Sequence, residues 1–127
     1  MAQIPALSGG RSLVPPANHG VQNITMGATT QLRNHYTTES NEFQVQGEIL
    51  VVDPTGNREL HLPPEASAKG MTLNILNAAD GAETITLKAD GGNTLSIAGS
   101  IAIDQNEMAY CVCDGVEWYA SVLKATT

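Results

Sequence analysis

Basic residues, aromatics, cysteines and long apolar runs are all scarce in this chain, and each scarcity argues against a class of function. Six Lys and Arg stand against thirteen Asp and Glu in 127 residues, a formal charge of −7. A nucleic-acid surface needs clustered cations to displace counterions from phosphates, and the six here are scattered, so no nucleic acid is expected as a partner. No window approaches the ~20 consecutive apolar residues of a membrane helix. The start MAQIPALSGGRSLVPP lacks the basic region and sustained apolar run of a secretory leader, so the expectation is a soluble, unsecreted protein with no membrane partner. Two cysteines in one short segment make no disulfide framework, which agrees with a reducing compartment.

Site chemistry is equally thin. His19, His35 and His61 fall in three separate segments, whereas zinc sites show closely spaced Cys or His pairs, twice over. Cys111 and Cys113 alternate on one strand, so they share a face without further ligands and read as small core residues. Gly9-Gly10-Arg11-Ser12 lacks the lysine and spacing of a phosphate loop, and there is no Gly-x-Ser-x-Gly elbow. The acidic pairs Asp80 with Glu83 and Asp104 with Glu107 sit at turns, where turn chemistry explains them. The loops NAADGAE (77–83) and KADGGNT (88–94) offer oxygens to calcium but lack the spacing of a calcium loop. No catalytic residue, metal site or cofactor is expected, and the chain does not read as an enzyme.

What the chain does have is Gly, Thr, Asn, Ala and Ser in two zones. Residues 1–41 are punctuated by Pro5, Gly9, Gly10, Pro15, Pro16, Gly20 and Gly27, with isolated apolar residues between them and no sustained period, and they read as an extended arm. Residues 42–127 read as a β-structured body. Residues 1–40 hold two Arg and one Glu, net +1, whereas residues 41–127 hold four basic and twelve acidic side chains, net −8.

In the body, short apolar runs alternate with turn residues: FQVQGEILVV (43–52), RELHL (58–62), MTLNIL (71–76), TITLK (84–88), TLSI (94–97), IAID (101–104), EMAYCVC (107–113) and VEWYASVL (116–123). This spacing predicts an all-β fold, an antiparallel sandwich or jelly-roll-like barrel of about eight short strands. PPEASAKG (63–70) is the one helical candidate and reads as a connection. TLNI (72–75), TITL (84–87) and TLSI (94–97) form a weak repeat, but its step changes from twelve to ten residues, so a β-solenoid stands only as the lesser alternative.

Asp114-Gly115 suits a two-residue hairpin turn, which would set Cys113 opposite Val116 and Cys111 opposite Trp118. One face of that ribbon then carries Ala109, Cys111, Cys113, Val116, Trp118, Ala120 and Val122, and the other carries Met108, Tyr110, Val112, Glu117, Tyr119, Ser121 and Leu123. A ribbon apolar on both faces must be covered twice, and Met108, Tyr110, Val112, Tyr119 and Leu123 are the expected subunit interface. A three-residue loop at Ala98-Gly99-Ser100 would likewise place Ile97 opposite Ile101 and Leu95 opposite Ile103.

The stretch GMTLNILNAADGAETITLKADGGNTLSIAGSIAIDQNEMAYCVCDGVEWYASV (70–122), with its Asn-containing strand, DG turns and aromatic strand closing on a DG-x-E-W hairpin, resembles small β-structured virion proteins of tailed bacteriophages. With an irregular arm in front, the chain is most similar to capsid decoration, or cement, proteins. The resemblance covers about half the chain. It implies a jelly-roll-like or tulip-like homotrimer on the outer capsid surface of the virion, with arms that contact the major capsid protein and clamp neighbouring capsomers. On that reading Ile4, Leu7, Arg11, Leu13, Val14, Val21, Ile24 and Met26 are the capsid-binding arm residues. The alternative from a different class is a trimeric receptor- or carbohydrate-binding module of a fibre or spike, using Tyr36 or loop Asn and Asp residues around 77–80 and 90–93. The scarcity of rings that could stack on sugars weighs against it.

Overall fold

The computed structural model describes residues 20–95 and 99–124. Its strands, among the described residues, are β1 (Val21–Met26), β2 (Thr30–Arg33), β3 (Glu42–Gln44), β4 (Ile49–Pro54), β5 (Arg58–His61), β6 (Thr72–Asn77), β7 (Ile85–Lys88), β8 (Ile101–Ile103), β9 (Met108–Cys113) and β10 (Trp118–Leu123). Two single turns of 3₁₀ helix, Glu65–Ser67 and Asp90–Gly92, are the only helical pieces among these residues. The first lies in the Pro63–Gly70 connection, which Gly70 leaves at φ +80.

The strands form two five-stranded sheets. The first has the order β1-β4-β6-β9-β10, and the second β3-β2-β5-β7-β8. Apart from β2 and β3, which pair in parallel within the second sheet, the chain shuttles between the sheets as far as β7, so that strands one circuit apart become neighbours. Val21 stands beside Ile49 and Ile49 beside Asn74, steps of 28 and 25 residues, in parallel register. On the other side Thr30 stands beside Leu60 and Leu60 beside Leu87, steps of 30 and 27. The winding ends at β8, β9 and β10, which pair antiparallel and close one edge of each sheet.

The all-β character expected from the sequence is present, but the antiparallel sandwich or jelly roll is corrected to a parallel-wound pair of mixed sheets with an antiparallel end. The physical reason lies in the weak repeat. TLNI and TITL are successive strands in opposite sheets, so the true period is a circuit of two strands with unequal loops, about twice the spacing read from the sequence. Of the third unit, Leu95 makes an isolated bridge to Gly99, Ser96 and Ile97 lie outside the described residues, and Ile103 of β8 pairs with Ile85 of β7.

Between the sheets lies a core built by period-two alternation. Leu50 and Val52, Leu73 and Ile75, and Ala109, Cys111 and Cys113 point inward from the first sheet; Leu32, Leu60, Ile85, Leu87 and Ile103 meet them from the second. Each fully buried aliphatic side chain contributes about 1.5–3 kcal/mol.

Residues 21–33 belong to this body, so the expected boundary at residue 41 moves. Ile24 and Met26 are core residues, 2% and 0% exposed, and Val21 is fixed in register with Ile49; none of the three is part of a free arm. VQNITM is too short to announce itself, and its parallel partner lies far along the chain, so no hairpin turn marks it. Ile4, Leu7, Arg11, Leu13 and Val14 lie outside the described residues.

The start of the body is held tightly. The Ile49 N–H donates to the Gly20 carbonyl at 3.3 Å, and a β-carbon on Gly47 would overlap that same carbonyl. Gly47→Ala is therefore expected to destabilise the fold by about 1–3 kcal/mol through overpacking, checked by urea unfolding.

Candidate functional site

The β9–β10 ribbon is where the sequence pointed, and its turn is longer than expected. Asp114 N–H donates to the Glu117 carbonyl at 3.2 Å, and the Asp114 carboxylate accepts from the Val116 and Glu117 N–H groups at 2.8 Å each. These bonds hold the Asp114 carboxyl below the usual carboxylate range, the Glu117 amide first. A side chain that caps two amides stabilises a four-residue loop over the two-residue turn. The register becomes Trp118 with Cys113 and Tyr119 with Val112. This shift of two residues leaves Val116 in the loop yet returns the paired strand positions to the same faces, because side chains alternate with period two.

Met108, Tyr110, Val112, Tyr119 and Leu123 thus share the outer face of the first sheet, as expected. The face extends further than the ribbon. Val51, Leu76, Met108 and Leu123 stand side by side across four strands, and Ile49, Asn74, Tyr110 and Ser121 form the next row. Exposure is 43% at Tyr110, 39% at Tyr119, 55% at Leu123 and 37% at Ile49, so these large apolar groups meet solvent on one face, with Asn74 and Ser121 among them. A shallow depression of about 230 Å³ lies between Tyr110, Val112, Tyr119 and Ser121. Ile49, Val51 and Leu76 escaped the sequence reading because only the sheet order brings them beside the ribbon.

The outer face of the second sheet is chemically opposite. Arg33 pairs with Glu42 at 3.2 Å, Lys88 with Glu59 at 3.1 Å, and His61 meets Glu59 at 3.0 Å. Exposed pairs of this kind each contribute only ~0–1 kcal/mol, so their importance is the polar surface they make. The two outer faces therefore differ: one is ion-paired, and the other exposes large apolar groups.

The remaining sequence candidates resolve into structure. Asp104 and Glu107 brace a turn: the Asp104 N–H donates to Glu107 Oε1 at 3.0 Å, and Lys124 lies 2.9 Å from Glu107 Oε2. The Lys124 contact first, then the Asp104 amide, hold the Glu107 carboxyl below its usual range, a contribution present above the ordinary carboxylate pKa and lost as pH falls. Asn77 is fully buried, so it is unavailable to a loop ligand. Tyr36 is 78% exposed and follows a depression of about 270 Å³ lined by Arg33, Asn34, His35, Pro64, Ala66 and Ser67. Among the described residues no three His, Cys, Asp or Glu side chains gather as a metal site, and no helix is long and apolar enough to cross a membrane.

Both cysteines are free and inside the core. Burial pushes the Cys111 thiol up to about 12, and Cys113 is raised chiefly by burial too. The thiolate is the reactive form, so a thiol reagent at pH 8 is expected to label Cys111 only at the rate of unfolding, measured by mass spectrometry with and without denaturant. The raised pKa also means that stability falls as pH climbs above 9, the ordinary thiol value, because the unfolded chain then releases the proton that the folded one retains.

Fold and face together define, among the described residues, a two-sheet all-β module with large apolar groups exposed on one outer face. No protein-family model, curated protein or solved structure matches the chain.

Proposed function

We propose that the protein is a structural component of a phage particle: a homotrimer that sits on the outer capsid surface and stabilises the shell by clamping neighbouring major capsid protein subunits. The observation that carries this reading is the apolar outer face of the first sheet, with Tyr110, Tyr119 and Leu123 exposed, on a body whose opposite face is ion-paired. Such a face is stable when another chain covers it. Residues 1–19 serve as the arm, and Ile4, Leu7 and Arg11 are its shell-contacting residues. Val21, Ile24 and Met26 leave the shell-binding set because the body uses them. A protein that binds only the assembled shell stabilises it by mass action, and no reaction chemistry is required.

The test is cosedimentation of the purified protein with expanded, undecorated shells of the virus that encodes it. Saturable binding in multiples of three copies, with shells that survive higher temperature, is expected; shells that pellet without the protein contradict the reading. A second reading, a trimeric receptor- or carbohydrate-binding module, draws on exposed Tyr36 and the neighbouring depression. Tyr36→Ala abolishing glycan or host-cell binding while leaving shell binding unmeasurable is the result that would favour it.

A further inference from the structure

An aspartate followed by glycine is a reactive pair, because glycine has no β-carbon to keep its amide nitrogen away from the carboxyl carbon of the residue before it. Three pairs of this kind occur in the chain: Asp80-Gly81, Asp90-Gly91 and Asp114-Gly115. The fold treats them differently.

Two of the three are held by hydrogen bonds and ion pairs. The Asp114 carboxylate accepts from the Val116 and Glu117 N–H groups at 2.8 Å each, and the Gly115 N–H donates to Cys113 Sγ at 3.4 Å. The bonds from Glu117 and Val116 lower the pKa of this carboxyl and keep it in the ionised form, which has no hydroxyl to lose. At the second pair the Gly91 N–H donates to Gln31 Oε1 at 3.0 Å, and the Asp90 carboxylate lies 3.7 Å from the Arg33 guanidinium. Reaction at either pair requires these contacts to open first.

Asp80 is exposed in the loop between β6 and β7, and among the described residues neither its carboxyl nor the Gly81 N–H has a hydrogen-bond partner. The bonds that fix this loop stop on either side of the pair. The Ala79 N–H donates to Asn77 Oδ1 and the Ala79 carbonyl accepts from Gln105 Nε2, while the Thr84 N–H donates to Asn57 Oδ1. The tip between them is unpinned.

We propose that Asp80-Gly81 is the chain's site of spontaneous backbone isomerisation, and that the fold protects the other two pairs. The Gly81 nitrogen attacks Cγ of the neutral acid form of Asp80; an N–Cγ bond forms, the C–OH bond breaks, and the hydroxyl leaves with the amide proton as water. Water then reopens the cyclic imide at one of its two carbonyls and returns either aspartate or isoaspartate, so the product has the mass of the starting chain. No oxidant, cofactor or enzyme is needed. In isoaspartate the backbone runs through Cβ and gains a methylene, and because Ala79 and Thr84 are held, the added length falls on the loop tip.

The experiment ages the purified full chain in warm neutral buffer, with a parallel sample in concentrated urea. Peptides carrying positions 80, 90 and 114 are then separated, and isoaspartate in each is read by methyl transfer from S-adenosylmethionine with a protein-isoaspartate methyltransferase. Since two hydrogen bonds must open before Asp114 reacts, position 80 is expected to lead the other two about tenfold or more in the folded protein. In urea the three rates should converge. Equal rates at the three pairs in the folded protein, or a lead at position 90 or 114, overturns the assignment. So does a folded chain with no isoaspartate at position 80, whatever forms in urea.

Discussion

Trp118→Ala is expected to lower the free energy of unfolding by about 3–5 kcal/mol, a large part of the ~5–15 kcal/mol that holds a domain together. Trp118 is the chain's only tryptophan, 1% exposed, and stands beside Cys113 at the start of β10. Its indole N–H donates to the Pro63 carbonyl at 2.8 Å, which ties the antiparallel end of the first sheet to the connection that leaves β5. Truncation therefore opens a cavity and also strands a carbonyl in the core. Trp118→Phe separates the two effects: most of the ring volume stays, and the unpaired carbonyl alone should cost about 1–3 kcal/mol. Urea unfolding followed by circular dichroism checks both, and a loss below ~1 kcal/mol for the alanine variant contradicts this account of the core.

Asn77→Leu should be nearly as damaging, although it makes the core more apolar. Asn77 is 0% exposed, and its amide donates to the Glu83 carbonyl at 2.9 Å and the Ile103 carbonyl at 2.8 Å, while its oxygen accepts from the Ala79 N–H at 2.9 Å. One side chain thus fastens the end of β6 to β8 in the opposite sheet and organises the loop after it. Leucine leaves two carbonyls and one N–H without partners, an expected loss of about 3–5 kcal/mol. Asn77→Asp keeps the acceptor but sets a carboxylate against two carbonyl oxygens, which raises its pKa in the folded state. Stability should then return as pH falls and the acid becomes a donor, so the urea midpoint of this variant should rise from pH 7 to pH 5. A variant as stable at pH 7 as the wild type contradicts this role for Asn77.

The strands of the body were legible because turn residues bracket them. Regions RELHL, TITLK, EMAYCVC and the last strand lie close to β5, β7, β9 and β10. The faces of the last ribbon were legible too, since alternation survives an even slip in register even though the Asp114 loop is longer than a two-residue turn. The winding was not. Apart from β2 and β3, parallel neighbours sit 25 to 30 residues apart and are joined through the other sheet, so no local signal links Ile49 to Asn74 or Leu60 to Leu87. For the same reason β1 reads as arm: its partner β4 is distant, and Gly20 and Gly27 bracket only six residues, whereas β2 has one parallel partner, β3, only eleven residues on. The candidate face was half visible. Tyr110 and Tyr119 stood out as apolar where water was expected, whereas Ile49, Val51 and Leu76 join them only through the sheet order. Asn77 was missed because Asn-Ala-Ala-Asp-Gly reads as a solvent turn, and only the packed structure turns that amide inward.

The central claim is that copies of this chain meet across the outer face of the first sheet. Sedimentation equilibrium of the wild type and of Tyr110→Asp/Tyr119→Asp tests it most directly, because both positions are exposed and the change leaves the core intact. The predicted result is a wild-type trimer and a folded variant at the monomer mass of 13.3 kDa. A variant with the same mass and the same concentration dependence as the wild type would contradict it.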